Sequence, residues 1–274
     1  MSGRPVAELR LEAVSHVYRQ GGVRALDEVS LTIGPGEVVA LIGQNGSGKT
    51  TLVRHLNGLL RPTTGRVLFD GQDAAQRTVA QLARQVGLVF QDPDRQIFAG
   101  SVRSEVEFGP RNVGLRGDAL RNAVDRALAA VGLADAAAAN PYDLGGSRRK
   151  LLALASVVAM ETPVLVMDEP TTGQDLAGVA VVRSIMRSAR QAGRTLIAIS
   201  HDMEFVAAEF ERVIVMGGGR VLADGPPAIV FAADAWRTLE STYLEPPLAA
   251  RVGERLGLGT TPTEAQLLTS IAGS

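Results

Sequence analysis

The stretch from Val38 to Thr50, which reads VVALIGQNGSGKT, decides the fold of this chain. Val38 to Ile42 is a continuous apolar run of strand length, which is typical of a strand buried on both faces of a sheet. Gly43 to Thr50 matches the phosphate-binding pattern G-x-x-x-x-G-K-[ST] in full. From Thr50 to Leu60, leucines and a valine then recur at helical spacing. Strand, glycine-rich loop and helix in this order are the context that the pattern requires, so we predict an α/β fold.

The glycine-rich loop predicts a nucleotide site. Its glycines allow backbone N–H groups to surround phosphate oxygens, and the N-terminus of the following helix adds a favourable field. In such loops the lysine, here Lys49, reaches the β- and γ-phosphates, and the Thr50 hydroxyl ligates Mg²⁺. The alternative, a glycine-rich turn with an incidental lysine, is disfavoured because Lys49 is one of only two lysines in the chain. The loop residues that we expect to contact ATP are Gly43, Gln44, Asn45, Gly46, Ser47, Gly48, Lys49, Thr50 and Thr51.

An acidic pair follows a second strand-like run. Val164 to Glu169 reads VLVMDE, so we expect Asp168 at the carboxyl edge of the sheet, where its carboxylate can hold hydrated Mg²⁺. Glu169, one residue further, is suitably positioned to polarise an attacking water. Taken alone, the pair would more simply cap the next loop. The phosphate-binding loop upstream makes the catalytic interpretation the stronger one.

The composition is that of an ordinary globular protein, since 46% of the 274 residues are hydrophobic and 21% are charged. The formal net charge of -1 gives no case for nucleic-acid binding, for which a basic face is expected. The absence of cysteine excludes disulfides and thiolate metal sites. The N-terminal residues lack the apolar core of a signal peptide, and the longest apolar run, Leu151 to Met160, is too short to span a bilayer. We therefore expect a soluble protein whose membrane role comes through a partner.

Strand-like and helix-like segments alternate along the chain, with one mainly helical region between Gln91 and Met160. Within that region Asp118 is a candidate helix N-cap, and a second helix is expected from Ser147 to Met160. After Gly225 the sequence predicts only short helices, one of which Thr261 could cap.

The order of these motifs resembles that of the ABC transporter ATPases, over roughly the first 230 residues. The resemblance implies a P-loop NTPase fold with an N-terminal antiparallel β subdomain, an α-helical insertion and a short C-terminal extension. The implied ABC ATPase domain covers residues 1–233, with core segments 1–90 and 161–233 around a helical subdomain at about 91–160. Residues 234–274 form the implied extension, with a role in dimerisation.

The resemblance also implies roles for individual residues. Tyr18 matches the aromatic residue that stacks on adenine, and Gln91 matches the glutamine that senses Mg²⁺ and the γ-phosphate and links to the membrane partner. His201 matches the histidine that contacts the γ-phosphate, and Asp175, in TTGQD, matches the D-loop aspartate that crosses the dimer interface. The implied catalytic set is Glu169, His201, Lys49 and Gln91, and the implied Mg²⁺ ligands are Thr50, Gln91 and Asp168.

One motif departs from the family pattern. The usual signature reads L-S-G-G-Q and opens a helix whose N-terminus binds the γ-phosphate of ATP held by the opposite subunit. Here the matching residues are Leu144, Gly145, Gly146, Ser147 and Arg148. Gly145 replaces the signature serine, so the expected hydroxyl is missing, and either Ser147 substitutes for it or it only caps the helix. Loss of one donor to transition-state charge costs about 10²–10³ in rate. We expect a weakened signature.

One region narrows the family further. Phe90 to Val102 reads FQDPDRQIFAGSV and Glu105 to Pro110 reads EVEFGP, which is similar to the ATPases of energy-coupling factor (ECF) transporters. Glu245 to Leu248 is similar to their C-terminal region. This resemblance implies an importer of a vitamin or a transition-metal ion, peripheral to the cytoplasmic face of the cell membrane. The implied partners are a second ABC ATPase subunit in a homo- or heterodimer, a transmembrane coupling subunit and a substrate-capture membrane protein, with no nucleic acid.

Three alternatives remain open at the level of sequence. A conventional ABC importer ATPase differs from the ECF type only in the region from Phe90 to Pro110. A non-transport ABC ATPase usually carries a long coiled-coil insertion or two ATPase domains, and the sequence has neither. A regulatory subunit that binds ATP but scarcely hydrolyses it is favoured by Gly145 and Arg148. The intact site residues Lys49, Asp168, Glu169 and His201 disfavour it.

Overall fold

A computed structural model describes residues 8–273. Met1 to Ala7 and Ser274 lie outside this range, and with them most of the N-terminal segment in which we expect no signal peptide. The strands in chain order are β1 (Leu9–Val17), β2 (Arg24–Ile33), β3 (Val38–Ile42), β4 (Thr64–Phe69), β5 (Gln72–Asp73), β6 (Val86–Val89), β7 (Val164–Asp168), β8 (Thr195–Ile199), β9 (Arg212–Gly217) and β10 (Arg220–Gly225). The helices are α1 (Lys49–Leu56), α2 (Val79–Ala83), α3 (Val102–Val113), α4 (Gly117–Ala130), α5 (Gly146–Val158), α6 (Leu176–Gln191), α7 (Met203–Glu209), α8 (Pro227–Val230), α9 (Trp236–Glu240), α10 (Leu248–Arg255) and α11 (Glu264–Ala272).

The larger sheet contains six strands within residues 8–273, in the order β10-β9-β3-β8-β7-β6. All neighbouring strands are parallel except β9 and β10, which form an antiparallel hairpin. Strand β3 is buried along its whole length, as its continuous apolar sequence predicts. Ala40 and Ile42 of β3 pack with the helical region, whereas Val39 and Leu41 pack with α1. The strand that leads into the glycine-rich loop therefore joins both halves of the core.

The smaller sheet has four strands in the described part of the chain, in the order β2-β1-β4-β5, and its pairs are antiparallel. Buried residues of β1 and β2 belong to the same apolar cluster as Leu52 and Leu56 of α1. This sheet covers the side of the larger sheet on which α1 lies. The expected fold class, α/β with an N-terminal antiparallel β part, is confirmed.

Helices α3, α4 and α5 follow β6 and precede β7 in the chain, and they pack against one another. The N-terminus of α4 differs from our prediction. Arg116, not Asp118, is the N-cap residue, and Asp118 lies in the first turn, where it pairs with Arg121. A carboxylate in the first turn still stabilises the helix, because it interacts with the positive end of the helix dipole.

The segment after β10 contains α8 to α11, which are short, as predicted. The cap of the last helix differs from our prediction. Thr263 and Gln266 form a reciprocal capping box at α11, whereas Thr261 is buried and donates a hydrogen bond of 2.8 Å to the Ala249 carbonyl. Thr261 therefore holds α11 against α10 and caps neither. Within residues 8–273, no helix is both long enough and apolar enough to cross a membrane.

Candidate active site

The glycine-rich loop lies at the carboxyl edge of the larger sheet, between β3 and α1. Gly43 and Gly48 both have positive φ angles, of 145° and 105°. A Cβ atom at Gly43 would overlap the carbonyl oxygen of Met216, and one at Gly48 would lie 2.5 Å from the carbonyl oxygen of Ala25. Glycine is required at both positions because β2 and β9 approach the loop backbone closely.

Lys49 lies inside this loop. Its ammonium group donates hydrogen bonds of 2.6 Å to the Gly43 carbonyl and 2.9 Å to the Gln44 carbonyl. Burial lowers the pKa of Lys49, and the charges of Glu169 and Asp168 oppose that shift. The charge of Lys49 is therefore held within reach of the acidic pair.

Thr50 and Asp168 meet where α1 begins and β7 ends. Thr50 Oγ1 donates a hydrogen bond of 3.0 Å to Asp168 Oδ2. Burial raises the pKa of Asp168, and the hydrogen bond from Thr50 counteracts this. A hydroxyl oxygen beside a buried carboxylate, with the Gln91 amide lining the same cavity, is a set of oxygen donors that fits Mg²⁺.

Glu169 combines backbone strain with an unpartnered oxygen. Its φ angle is 53°, in the left-handed region, which is uncommon for a residue other than glycine and costs free energy that surrounding contacts must offset. Glu169 Oε2 accepts a hydrogen bond of 3.1 Å from Thr172 Oγ1. Glu169 Oε1 is buried and has no well-aligned hydrogen-bond donor, although His201 Nε2 lies 3.1 Å away. Burial raises the pKa of Glu169, and so does the charge of Asp168, while the Thr172 hydrogen bond lowers it.

His201 follows β8, and its side chain is 39% exposed. Burial lowers the pKa of His201, and the charge of Lys49 lowers it further, while Asp168 opposes the shift. The neutral imidazole is therefore favoured at this position.

A cavity of about 250 Å³ joins most of the residues predicted from the sequence. Tyr18 closes one side of it, and the Tyr18 hydroxyl lies 3.1 Å from Thr51 Oγ1. The predicted site residues that line the cavity are Tyr18, Asn45, Gly46, Ser47, Gly48, Lys49, Thr50, Thr51, Gln91, Asp168, Glu169 and His201. Gly43 and Gln44 do not line it and contribute through their carbonyl groups, which hold Lys49.

The structure does not bring the predicted signature residues into this cavity. Leu144 is buried, whereas Gly145, Gly146 and Arg148 are exposed at the N-terminus of α5. Asp175 caps α6 by accepting a hydrogen bond of 2.8 Å from the Gly178 N–H. Gly145, Gly146, Arg148 and Asp175 belong to a second, exposed surface of the same chain.

The sequence profile of the ABC transporter family matches residues 26–172. The chain belongs to the ABC transporter ATPase family. The cobalt import ATP-binding protein CbiO of Rhodobacter capsulatus is 43% identical, over 88% of this chain and 85% of that protein. The ECF transporter ATP-binding protein EcfA2 of Symbiobacterium thermophilum is 43% identical, over 89% of this chain and 86% of that protein. The structure of CbiO1 from Clostridium perfringens, part of the ABC transporter complex CbiONQ, is 35% identical with a TM-score of 0.73, over 91% of this chain and 98% of that one.

This ABC transporter ATPase is of the ECF type, which confirms the interpretation of the region from Phe90 to Pro110. As a member of this family, it binds and hydrolyses ATP. In the structure, polar residues of that region form hydrogen bonds that hold the helical region together. Gln96 donates hydrogen bonds to the Ala153 carbonyl and to Ser156 Oγ, at 2.7 and 2.9 Å. Glu105 is buried and accepts hydrogen bonds from the backbone N–H groups of residues 98 and 99.

Several side chains of this ABC transporter ATPase that contact the site were not predicted from the sequence. The Thr172 hydroxyl donates a hydrogen bond to Glu169, and Lys150 donates one of 2.6 Å to the Thr172 carbonyl. Gln174 and Ser147 are joined by two hydrogen bonds. The one available signal was that Lys150 is the other lysine of a chain rich in arginine. Thr172 and Gln174 lie within TTGQD, but the match assigned a role only to Asp175.

Proposed function

We propose that this chain is the ATP-hydrolysing subunit of an ECF-type importer and drives uptake of a vitamin or a transition-metal ion. The observation that carries the proposal is the convergence of Lys49, Thr50, Asp168 and Glu169 on one cavity in a chain with the ECF-type segment. One relative is named for cobalt import and another for an energy-coupling factor transporter, which supports this substrate class.

The ATP molecule lies along the cavity from Tyr18 to Glu169 in this proposal. The Tyr18 ring stacks on adenine, and the loop from Gly43 to Thr51 binds the phosphates through its N–H groups and Lys49. Thr50, Gln91 and Asp168 hold Mg²⁺, which when bound neutralises phosphate charge and orients the terminal phosphate. The hydrogen bond between Thr50 and Asp168 brings two of these ligands together before the ion binds.

Glu169 is the general base in this proposal. Its unpartnered Oε1 is available to accept a hydrogen bond from the attacking water, while Thr172 holds Oε2. A carboxylate with a raised pKa is a better proton acceptor near neutral pH than an ordinary glutamate. The neutral imidazole of His201 donates a hydrogen bond to the γ-phosphate, and Gln91 helps to position that phosphate.

A second ATPase subunit completes the site. The exposed N-terminus of α5, with Leu144, Gly145, Gly146, Ser147 and Arg148, approaches the γ-phosphate bound by the partner, and Asp175 crosses the interface. The positive end of the α5 dipole supports this role, because it attracts phosphate even without the signature hydroxyl. A solved dimer of an ATP-binding cassette with ADP and Pi, 25% identical to this chain over 80% of it, supports such pairing. Residues 234–274 extend the interface between the two subunits.

The membrane partner docks on the helical region. Phe98 and Phe108 are 61% and 51% exposed and pack edge to face, with their ring centroids 4.7 Å apart. Tyr142 is also exposed beside them, and its hydroxyl donates to the Ile97 carbonyl at 3.1 Å. A group of exposed aromatic side chains is typical of an interaction site. The transmembrane coupling subunit binds here, at the cytoplasmic face of the membrane, and a separate membrane protein captures the substrate.

The test is purification of the tagged chain from its native membrane, with partners identified by mass spectrometry. We expect a second ATPase, a helical transmembrane subunit and a small substrate-capture membrane protein. Phe98→Ala with Phe108→Ala is expected to release the membrane proteins, whereas Val79→Ala, at an exposed apolar residue of α2, is expected to retain them. Recovery of two permeases with a substrate-binding protein would replace the ECF proposal, and recovery of only soluble partners would overturn the transport role.

A further inference from the structure

The first turn of α5 is hydrogen-bonded to the loop of residues 169–175, which begins at the second residue of the acidic pair. Ser147 Oγ donates a hydrogen bond of 2.7 Å to Gln174 Oε1, and Gln174 Nε2 donates one of 3.2 Å to the Ser147 carbonyl. Lys150 Nζ donates a hydrogen bond of 2.6 Å to the Thr172 carbonyl. The signature turn and this loop are therefore joined at two points within one subunit.

The 169–175 loop carries Glu169 at its beginning and Asp175 at its end. Thr172 connects Lys150 to the general base, because its carbonyl accepts a hydrogen bond from Lys150 and its hydroxyl donates one of 3.1 Å to Glu169 Oε2. The hydrogen-bonded pair Ser147 and Gln174 holds the same loop two residues further on. Glu169 itself has a φ angle of 53°, which only the surrounding contacts can maintain. The direction of the Glu169 carboxylate thus depends on where Thr172 is held.

Lys150 also faces the acidic pair electrostatically. The charges of Glu169, Asp92 and Asp168 stabilise the ammonium ion, although burial lowers the pKa of Lys150 overall. A cavity of about 20 Å³, lined in part by Gln91, Lys150, Glu169 and Gln174, is large enough for one water. Lys150 is thus held between the signature turn and the proposed catalytic carboxylate.

The same contacts answer whether Ser147 replaces the missing signature hydroxyl. A serine hydroxyl has one proton to donate, and here it is directed to Gln174 within the same chain. Ser147 therefore cannot donate to the phosphate of the opposite site while this bond is made. Its position at the start of α5 suits a link between that helix and the 169–175 loop.

We propose that Ser147 and Lys150 are positioning residues for Glu169 of the same subunit, acting through Gln174 and Thr172. The inference rests on the proposed role of Glu169 as the general base. Through this link, the α5 turn that approaches the partner's ATP sets the orientation of the base at the chain's own ATP. Contact between the α5 turn and the partner's ATP is thereby coupled to the orientation of Glu169 at the chain's own ATP.

The experiment measures single-turnover ATP hydrolysis and ATP affinity in the complex purified with its partners. Lys150→Met and Thr172→Val are each expected to lower the rate about 10- to 100-fold, the scale for a misplaced catalytic group, with ATP affinity unchanged. The double variant is expected to lose no more than either single variant, because both changes break one chain of contacts. Lys150→Arg and Thr172→Ser keep the donors and are expected to recover most of the rate.

Gln174→Leu separates the two roles that Ser147 could have. If Ser147 acts through Gln174, then Gln174→Leu and Ser147→Ala lower the rate equally and their effects do not add. If Ser147 instead donates to the opposite phosphate, Gln174→Leu frees its hydroxyl, and the rate stays the same or rises, which would overturn the inference. Weakened ATP affinity with an unchanged rate in Lys150→Met, or additive losses with Thr172→Val, would also overturn it.

Two controls keep this inference distinct from the proposed function. Arg121→Met, on the exposed face of α4, is expected to leave the rate unchanged. Glu169→Gln tests the general base itself. If Glu169→Gln hydrolyses ATP normally, the proposed function of Glu169 fails. If Glu169→Gln is inactive while Lys150→Met and Thr172→Val are fully active, only the positioning role fails.

Discussion

Thr50 Oγ1 donates a hydrogen bond of 3.0 Å to Asp168 Oδ2 and so joins the first turn of α1 to the end of β7. These residues are far apart in sequence, and the position of each is set by the strand that precedes or contains it. Strand β3 delivers the loop that ends at Thr50, and β7 delivers Asp168, with β8 between them in the parallel sheet. Because parallel strands end at the same edge, the topology assembles two oxygen ligands from distant segments.

Asp168→Asn is expected to raise the Mg²⁺ concentration required for ATP hydrolysis by roughly 10- to 100-fold, the scale for a lost contact at a metal site. The amide retains the shape of the side chain but removes the charge that holds the cation. Titration of ATPase activity with Mg²⁺ measures the shift. Binding of ATP in the presence of a chelator should change little, and an unchanged Mg²⁺ requirement would exclude Asp168 as a ligand.

Glu169→Gln is expected to lower the rate of hydrolysis by about 10²–10⁴-fold, the usual contribution of a general base, while ATP binding is retained. The amide can still accept the hydrogen bond from Thr172, so the loop keeps its anchor. Single-turnover hydrolysis and equilibrium binding of a fluorescent ATP analogue separate the two effects. A parallel loss of affinity would mean that Glu169 supports binding and not the chemical step.

Gly43→Ala is expected to destabilise the protein by about 3 kcal/mol or more, because a Cβ atom overlaps the Met216 carbonyl and the φ angle of 145° is unsuited to alanine. Gly46→Ala is the matched control in the same loop. Its φ angle is also positive, at 82°, but a Cβ atom there meets no neighbour within 4 Å. We expect a cost of only about 1–2 kcal/mol for Gly46→Ala. Chemical denaturation of both variants measures the difference, and equal costs would contradict the close approach of β9.

Most of the fold and the centre of the site could be predicted from local sequence patterns. The apolar run of β3, the loop that follows it and the Asp168–Glu169 pair are each contiguous, so each could be predicted from its own residues. The resemblance to ABC ATPases added Tyr18, Gln91 and His201, which line the same cavity but share no local motif with the loop.

The remaining site contacts could not be predicted because they depend on how separate segments pack. Thr172 and Gln174 look like ordinary loop residues, and they become significant only because α5 lies against them. The prediction that Asp118 is the N-cap of α4 was wrong for a related reason. Asp118 has the better capping side chain, but the backbone enters the helix at Arg116.

The pH dependence of stability is expected to include a contribution from His55. Burial lowers the pKa of His55, and the neighbouring His16, whose ring centroid lies 4.8 Å away, lowers it further, while the Thr51 carbonyl opposes the shift. The folded state therefore favours the neutral ring, so the unfolded chain binds more protons as the pH falls. Stability from this group is present above the unfolded pKa of about 6.5 and is lost as the pH falls through the lowered folded value.

Urea unfolding between pH 5 and 7.5 measures this contribution. His55→Leu removes the titrating group, so we expect its free energy of unfolding to fall less steeply with decreasing pH than that of the wild type, whatever its absolute stability. His16→Leu serves as the companion variant, because it removes the neighbouring ring and leaves the bond of 2.7 Å from His55 Nδ1 to Thr51 in place. Identical slopes in the wild type and His55→Leu would show that His55 does not titrate differently in the two states.

Gly145→Ser is expected to increase ATP hydrolysis, because it restores a hydroxyl at the signature position. The backbone tolerates the change: Gly145 has a φ angle of -62°, and a Cβ atom there meets no neighbour within 4 Å. Serine is also a favourable residue at the N-cap of a helix, and Gly145 is the N-cap of α5. Recovery of one donor to transition-state charge predicts a gain of up to about 10²-fold at the site that this signature serves. Gly145→Ala is the control without a hydroxyl and should give no gain. Single-turnover hydrolysis in the purified complex measures the effect, and equal rates for the serine and alanine variants would mean that the missing hydroxyl does not limit this transporter.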